Sequence, residues 1–182
     1  MAVRVLLLPG LFDSGPDHWQ SHWERSEPLF IRVVQRDWER PRREDWVETL
    51  DVAVGAAGPD AVLVAHSTGC TLVAFWARET SHTVRGALLV APSDTEAPSY
   101  PVGPTGWQPM PREALGFRSI VVASNDDPYC ELKRAIVFAQ AWGSAFVTIG
   151  GAGHINAASG LGDWKRGRRF LDELIHGTTD ER

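Results

Sequence analysis

The chain has 182 residues and a formal net charge of -5; 43% of its residues are hydrophobic and 23% charged. That length and balance fit one soluble domain with one sizeable core. A mildly acidic chain without a basic cluster argues against nucleic acid and anionic membranes as partners.

The opening stretch, residues 3–8, reads as a buried strand. Its apolar run is too short for a leader and ends in Pro9-Gly10 without a cleavage-like site. Residues 16–25 read as a helix with Trp19 and Trp23 on one face at i, i+4 spacing. A second strand is expected over 29–34. The basic run at 40–43 is broken by Pro41 and flanked by Glu39 and Glu44-Asp45, which reads as a solvated loop. A helix follows over 43–56, capped near its acidic start at Glu44-Asp45. A strand over 61–65 runs into a helix over 68–79, and a fourth strand spans 84–90. The stretch 91–117, rich in proline, glycine and serine, is the one long irregular segment. Then come a strand over 120–123, a helix over 131–142, a strand over 145–149 and a closing helix over 161–175. The expected unit is a single domain over 1–176 with a polar tail over 177–182. No apolar run reaches the length needed to span a membrane. Cys70 and Cys130 are too few for a disulfide framework and fit a reducing, cytoplasmic compartment.

The strands are continuous apolar runs, as in a parallel sheet covered on both faces. With the βαβα rhythm this predicts an α/β fold: a six-stranded, mostly parallel sheet with helices on both sides and no large lid domain.

The strongest chemical signal is Val62-Leu63-Val64-Ala65-His66-Ser67-Thr68-Gly69-Cys70, a strand that meets a serine and then a helix. This is the setting of a nucleophile elbow, in which a sharp turn lifts the serine hydroxyl above the strand ends. Gly69 fits the G-x-S-x-G pattern, and Ala65 replaces its first glycine with another small residue. The competing reading is a serine that merely caps a helix. The partners expected in this chain order, an acid and then a histidine, are both present. Asn125-Asp126-Asp127-Pro128 follows the fifth strand, and Gly150-Gly151-Ala152-Gly153-His154 follows the sixth. Both lie past the C-terminal strand ends, where open α/β sheets place ligands. A neutral imidazole has the basicity to take the serine proton, and a carboxylate fixes its tautomer. Asp127 is preferred as the acid, with Asp126 left to satisfy backbone donors in the turn.

The loop after the first strand, Pro9-Gly10-Leu11-Phe12-Asp13-Ser14-Gly15, is expected to supply one oxyanion donor. The residue after the nucleophile supplies the other. The backbone N–H groups of Leu11 and Thr68 are the candidates, with Phe12 adjacent as the alternative to Leu11. Phe12 and Trp107 are candidate pocket walls, Trp107 against a packing role. Trp19, Trp23, Trp38 and Trp46 are read as packing and indole hydrogen-bond anchors. His18 and His66 flank the proposed site as possible second bases, although His66, preceding the nucleophile, should point away. Cys70 is read as a small buried residue.

Taken together, these segments resemble the serine hydrolase family that includes the YdeN-type bacterial proteins and retinoblastoma-binding protein nine. The matching residues are Leu8-Pro9-Gly10, Ser14-Gly15-Pro16-Asp17-His18-Trp19-Gln20, Gln35-Arg36-Asp37-Trp38, Ala65-His66-Ser67-Thr68-Gly69-Cys70, Ala123-Ser124-Asn125-Asp126-Asp127-Pro128-Tyr129 and Gly153-His154-Ile155-Asn156. The resemblance spans almost the whole chain. It implies a compact α/β hydrolase with the triad Ser67, Asp127 and His154 and no cofactor. Binding of retinoblastoma protein is not carried over, since Leu-x-Cys-x-Glu does not occur here.

The expected activity is cleavage of a small carboxylic ester; amide, thioester or acyl-transfer chemistry would use the same parts. The alternative is a binding protein on a hydrolase scaffold with little turnover. A metal hydrolase is disfavoured, as no His-Glu-x-x-His helix is present. Because 91–117 reads as a proline-constrained loop and not a helical cap, the site should be shallow and take small acyl substrates.

Overall fold

A computed structural model describes residues 3–177. The predicted tail therefore lies, apart from Gly177, outside the described residues, as do Met1 and Ala2. The elements in chain order are β1 (Val5–Leu8), α1 (Trp19–Ser26), β2 (Phe30–Arg32), α2 (Arg43–Ala57), β3 (Val62–His66), α3 (Thr68–Glu79), β4 (Gly86–Val90), β5 (Arg118–Ala123), α4 (Leu132–Trp142), β6 (Ala145–Thr148) and α5 (Lys165–His176). The six strands form one sheet in the order β2-β1-β3-β4-β5-β6, and every pairing is parallel.

The period of two along the strands builds two cores. Leu6, Leu8, Leu63, Ala65, Leu89 and Val121 face α2, α3 and α4. Val5, Leu7, Val62, Val64, Leu88 and Val90 face α1 and α5. Both faces are thus covered, and β1, β3 and β4 are buried throughout. The sheet edges depart from the expected burial. β6 and β2 are only partly covered, and Ile31 is exposed. An edge strand has a neighbour on one side only, so its outer margin stays in water.

Helix ends depart from the expected bounds for local reasons. α1 begins at Trp19, where the His18 ring caps it by accepting from the Gln20 N–H. α2 begins at Arg43 as expected, but without a side-chain cap. Glu44 and Asp45 occupy its first turn, where they complement the helix dipole. The last helix begins at Lys165, four residues later than expected. Trp164 folds its ring over Gly167, where a Cβ would sit 2.1 Å from the indole. A short 3-10 turn, Ala157–Ser159, was not foreseen; Asn156 and Ser159 cap it reciprocally.

The strand order reverses between β1 and β3, since the chain leaves β1 for β2 on one side and β3 leads to β4 on the other. Such a switch point opens a crevice at the C-terminal strand ends. The stretch 91–117 crosses that end of the sheet without helix or strand. It is pinned from several sides. Asp94 takes a two-pronged contact from Arg134 at 2.6 and 2.9 Å. Thr105 exchanges backbone bonds with Pro41 and Arg43, both 3.0 Å. Among the described residues no helix is long and apolar enough to cross a membrane.

Candidate active site

Ser67 sits between the end of β3 and the start of α3 with φ 59 and ψ -127. A non-glycine residue in this region costs on the order of 1–3 kcal/mol, and such strain persists only where neighbours enforce it. Here backbone hydrogen bonds enforce it: the Ser67 N–H donates to the Val90 carbonyl at 3.0 Å, and the Ser67 carbonyl accepts from the Cys70 N–H at 2.9 Å. A Cβ on Gly69 would lie 2.3 Å from the Leu8 carbonyl oxygen, so only glycine lets α3 approach β1. A Cβ on Gly10 would lie 2.5 Å from the Ser67 Cβ. The two glycines let the first loop and the serine turn share the crevice.

The three residues singled out for catalysis meet there. Ser67 Oγ lies 2.8 Å from His154 Nε2. His154 Nδ1 lies 2.9 Å from both carboxylate oxygens of Asp127. The side chains of His154 and Asp127 are 7% and 3% exposed, so their contact is shielded from water. The Tyr129 N–H donates to Asp127 Oδ1 at 2.9 Å and fixes the carboxylate.

Asp126 does the other job foreseen for this pair. Its Oδ1 accepts from the Gly153 N–H at 2.8 Å and from the Ser124 hydroxyl at 2.5 Å. Those hydrogen bonds, the Ser124 contact foremost, hold its carboxyl below the usual carboxylate range. The Ser124 hydroxyl also accepts from the Ala152 N–H at 2.9 Å. The loop that carries His154 is thus tied to the turn that carries Asp127.

Leu11 and Thr68 line the same cavity as Ser67. The Phe12 N–H is spent on the Trp38 carbonyl at 2.8 Å. Among the described residues neither the Leu11 nor the Thr68 N–H has a hydrogen-bond partner. Two free donors therefore border the serine, and Phe12 is removed as the alternative to Leu11.

The cavity measures about 460 Å3. Phe12 forms one wall, as expected, with its side chain largely exposed. Trp107 does not, and that expectation is corrected. Its indole is 2% exposed, packs edge-on against Trp46 at 5.3 Å and donates to the Pro41 carbonyl at 3.1 Å. A large ring with one donor finds more apolar contact and a partner inside the core. The apolar walls are instead Leu11, Tyr100, Pro101, Tyr129 and Ala157. Tyr129 stands within the acid-bearing motif, and that position was the available signal for it. Nothing in the sequence singled out Tyr100.

Trp19, Trp23 and Trp46 are buried, and each indole donates to a backbone carbonyl, as expected. Trp38 packs edge-on against Trp46 at 5.5 Å. His66 points closer to the site than expected, since it lines the cavity. Its Nε2 donates to the His154 carbonyl at 2.8 Å, and burial holds the ring well below its ordinary basicity. His18 is likewise kept neutral, its pKa lowered to about 3 by burial and by nearby Arg32. Neither ring makes a hydrogen bond to Ser67; His66 braces His154, which does. Cys70 is fully buried, with its thiol pushed up by burial. Sequence reasoning also missed Ser93, in the loop after β4, whose Oγ lies 2.8 Å from Ser67 Oγ.

A serine hydrolase family model matches residues 5–173. A YdeN-like hydrolase from Pectobacterium atrosepticum is 32% identical; the match covers 95% of this chain and 90% of that one, with a TM-score of 0.83. The chain belongs to the serine hydrolase family, within the α/β-hydrolase superfamily. The ydeN gene product of Bacillus subtilis is 19% identical over 96% of this chain and 99% of that one, with a TM-score of 0.80. An esterase from Thermogutta terrifontis shares the fold at 15% identity, covering 96% and 91% with a TM-score of 0.67. No curated protein matches the chain by sequence.

Proposed function

We propose that this hydrolase cleaves small carboxylic esters through an acyl-enzyme on Ser67. The observation that carries the reading is the unbroken line of hydrogen bonds from Ser67 Oγ through His154 to Asp127, opening on a cavity of about 460 Å3. A cavity of that size suits a small organic ligand.

Asp127 accepts from His154 Nδ1 and leaves the Nε2 lone pair facing the serine. As Ser67 Oγ bonds to the acyl carbon, its proton passes to Nε2. The carbonyl oxygen gains charge between the Leu11 and Thr68 N–H groups at the N-terminus of α3. The intermediate collapses, and Nε2 returns the proton to the departing alcohol. Water then repeats the sequence on the acyl-enzyme and releases the acid. Asp127 remains ionised and stabilises the imidazolium.

The steric character of the walls supports short acyl groups. Tyr100 and Pro101 come from the pinned 91–117 stretch and close one side. No cofactor enters this scheme. Two unpaired, buried cysteines fit a reducing, cytoplasmic setting.

The test is hydrolysis of short nitrophenyl esters by the protein and by Ser67→Ala. The substitution should reduce kcat on the order of a millionfold while leaving the fold intact. Retention of most activity by folded Ser67→Ala would remove the serine from the mechanism. Absence of turnover by the native protein across ester, thioester and amide probes would favour a binding role.

A further inference from the structure

We propose that Ser93 is a catalytic residue of deacylation, donating a hydrogen bond to Ser67 Oγ as that oxygen leaves the acyl group; this rests on the acyl-enzyme reading above. The hydroxyl of Ser93 is buried, borders the cavity, and lies 2.8 Å from Ser67 Oγ. The direction of that bond follows from proton bookkeeping. The Asp127 carboxylate only accepts, so His154 Nδ1 carries a proton and a neutral ring offers its lone pair at Nε2. The single proton of Ser67 points at Nε2, 2.8 Å away. A second hydrogen bond to Ser67 Oγ can then only be donated by Ser93.

The two half-reactions use this donor unequally. In the free enzyme Ser67 Oγ is a hydroxyl oxygen that already accepts from Ser93, so the bond exists before acylation and contributes little to lowering that barrier. In the acyl-enzyme Oγ is an ester oxygen, with its lone pair delocalised into the carbonyl, and is a poor acceptor. When water attacks, its oxygen bonds to the acyl carbon and its proton passes to His154 Nε2. Delocalisation ends, and the Ser93 bond strengthens. The intermediate then collapses, the electrons of the C–Oγ bond return to Oγ, and Nε2 gives Oγ its proton. Ser93 keeps its own proton throughout. A bond that is weak in the ground state and strong in the transition state accelerates the step it serves, and hydrogen bonds to charged oxygen are the stronger kind.

Stopped-flow and acid-quench kinetics with nitrophenyl acetate separate the steps. In Ser93→Ala the acylation rate constant should stay within about threefold of the native value. The deacylation rate constant should fall on the order of tenfold or more. Steady-state kcat and KM should then fall together with kcat/KM nearly unchanged. Ser93→Cys, whose thiol donates weakly, should fall between the two, and carries the test if the alanine variant does not fold. Equal losses in both steps, or no loss in either, would overturn the role of Ser93. Product release by the native protein with no acyl group on Ser67 would overturn the acyl-enzyme reading itself.

Discussion

Two sets of loops meet at the C-terminal end of the sheet, and they are held in different ways. The turns after β5 and β6 are short and locked by local polar contacts: Asp126 to Gly153 at 2.8 Å, Ser124 to Ala152 at 2.9 Å, Asp127 to Tyr129 at 2.9 Å. The 91–117 stretch is long and held by distant anchors, with Arg134 at one point and Pro41 at others. The first set positions Asp127 and His154; the second covers the cavity and brings Ser93 to Ser67. Precision in the site therefore comes from short turns with saturated hydrogen bonds, and shape comes from a loop whose interior residues belong to the core.

Between these two regions, the larger expected effect lies in the short turns. Asp127→Asn should lower kcat/KM by about ten thousandfold, because an amide can hold the wrong imidazole tautomer. Asp126→Asn keeps an acceptor for the Gly153 N–H and should cost about tenfold or less, through a looser loop. Comparable losses in the two variants, measured with one short ester, would erase the division of labour between the adjacent acids.

The covering loop should govern chain length. Each acyl methylene taken into the cavity should raise kcat/KM by up to about fourfold, from about 0.8 kcal/mol of burial. That gain should stop after a few carbons. Tyr100→Ala should move the optimum toward longer chains, whereas Trp107→Phe should leave the profile in place and lower only stability. A nitrophenyl ester series checks both. A profile that climbs steadily to long chains in the native protein, or that shifts with Trp107→Phe, would contradict the assignment of walls.

The smallest effect concerns the packing beneath the site. His18 titrates at about 3 when folded and near 6.5 when unfolded, and burial shifts His66 in the same direction. Between those values the unfolded chain binds protons that the folded one refuses. Stability should therefore be full above about pH 6.5 and fall as pH drops toward 3. The slope is at most about 1.4 kcal/mol per pH unit for each ring. Urea midpoints at pH 7.5, 6 and 5 measure it. His18→Asn keeps a cap for α1 and should flatten the decline; an unchanged slope would mean that His18 charges freely in the folded protein.

Much of this was legible in the sequence because the relevant constraints are local. The sheet follows from apolar runs such as Val62-Leu63-Val64-Ala65, and the elbow from a serine between a strand and a helix with Gly69 behind it. Chain order pointed to Asp127 and His154, which the fold brings together beside Ser67, and position in the turn separated the contacts of Asp127 from those of Asp126. Trp107 and Tyr100 were not separable, since both stand in one irregular, proline-rich stretch with no period to assign faces. Which ring turns inward depends on the Pro41 carbonyl and on Trp46, far away in sequence. Ser93 was invisible for the same reason: its meaning comes from β4 lying beside β3.

The account depends most directly on Ser67 being the nucleophile. Incubation of the native protein with a fluorophosphonate probe, followed by peptide mapping, reads this without knowledge of the substrate. One adduct on the peptide bearing Ser67, abolished in Ser67→Ala and greatly slowed in Asp127→Asn, is the predicted result. A folded protein that takes up no probe, or takes it up equally well after Ser67→Ala, would contradict it.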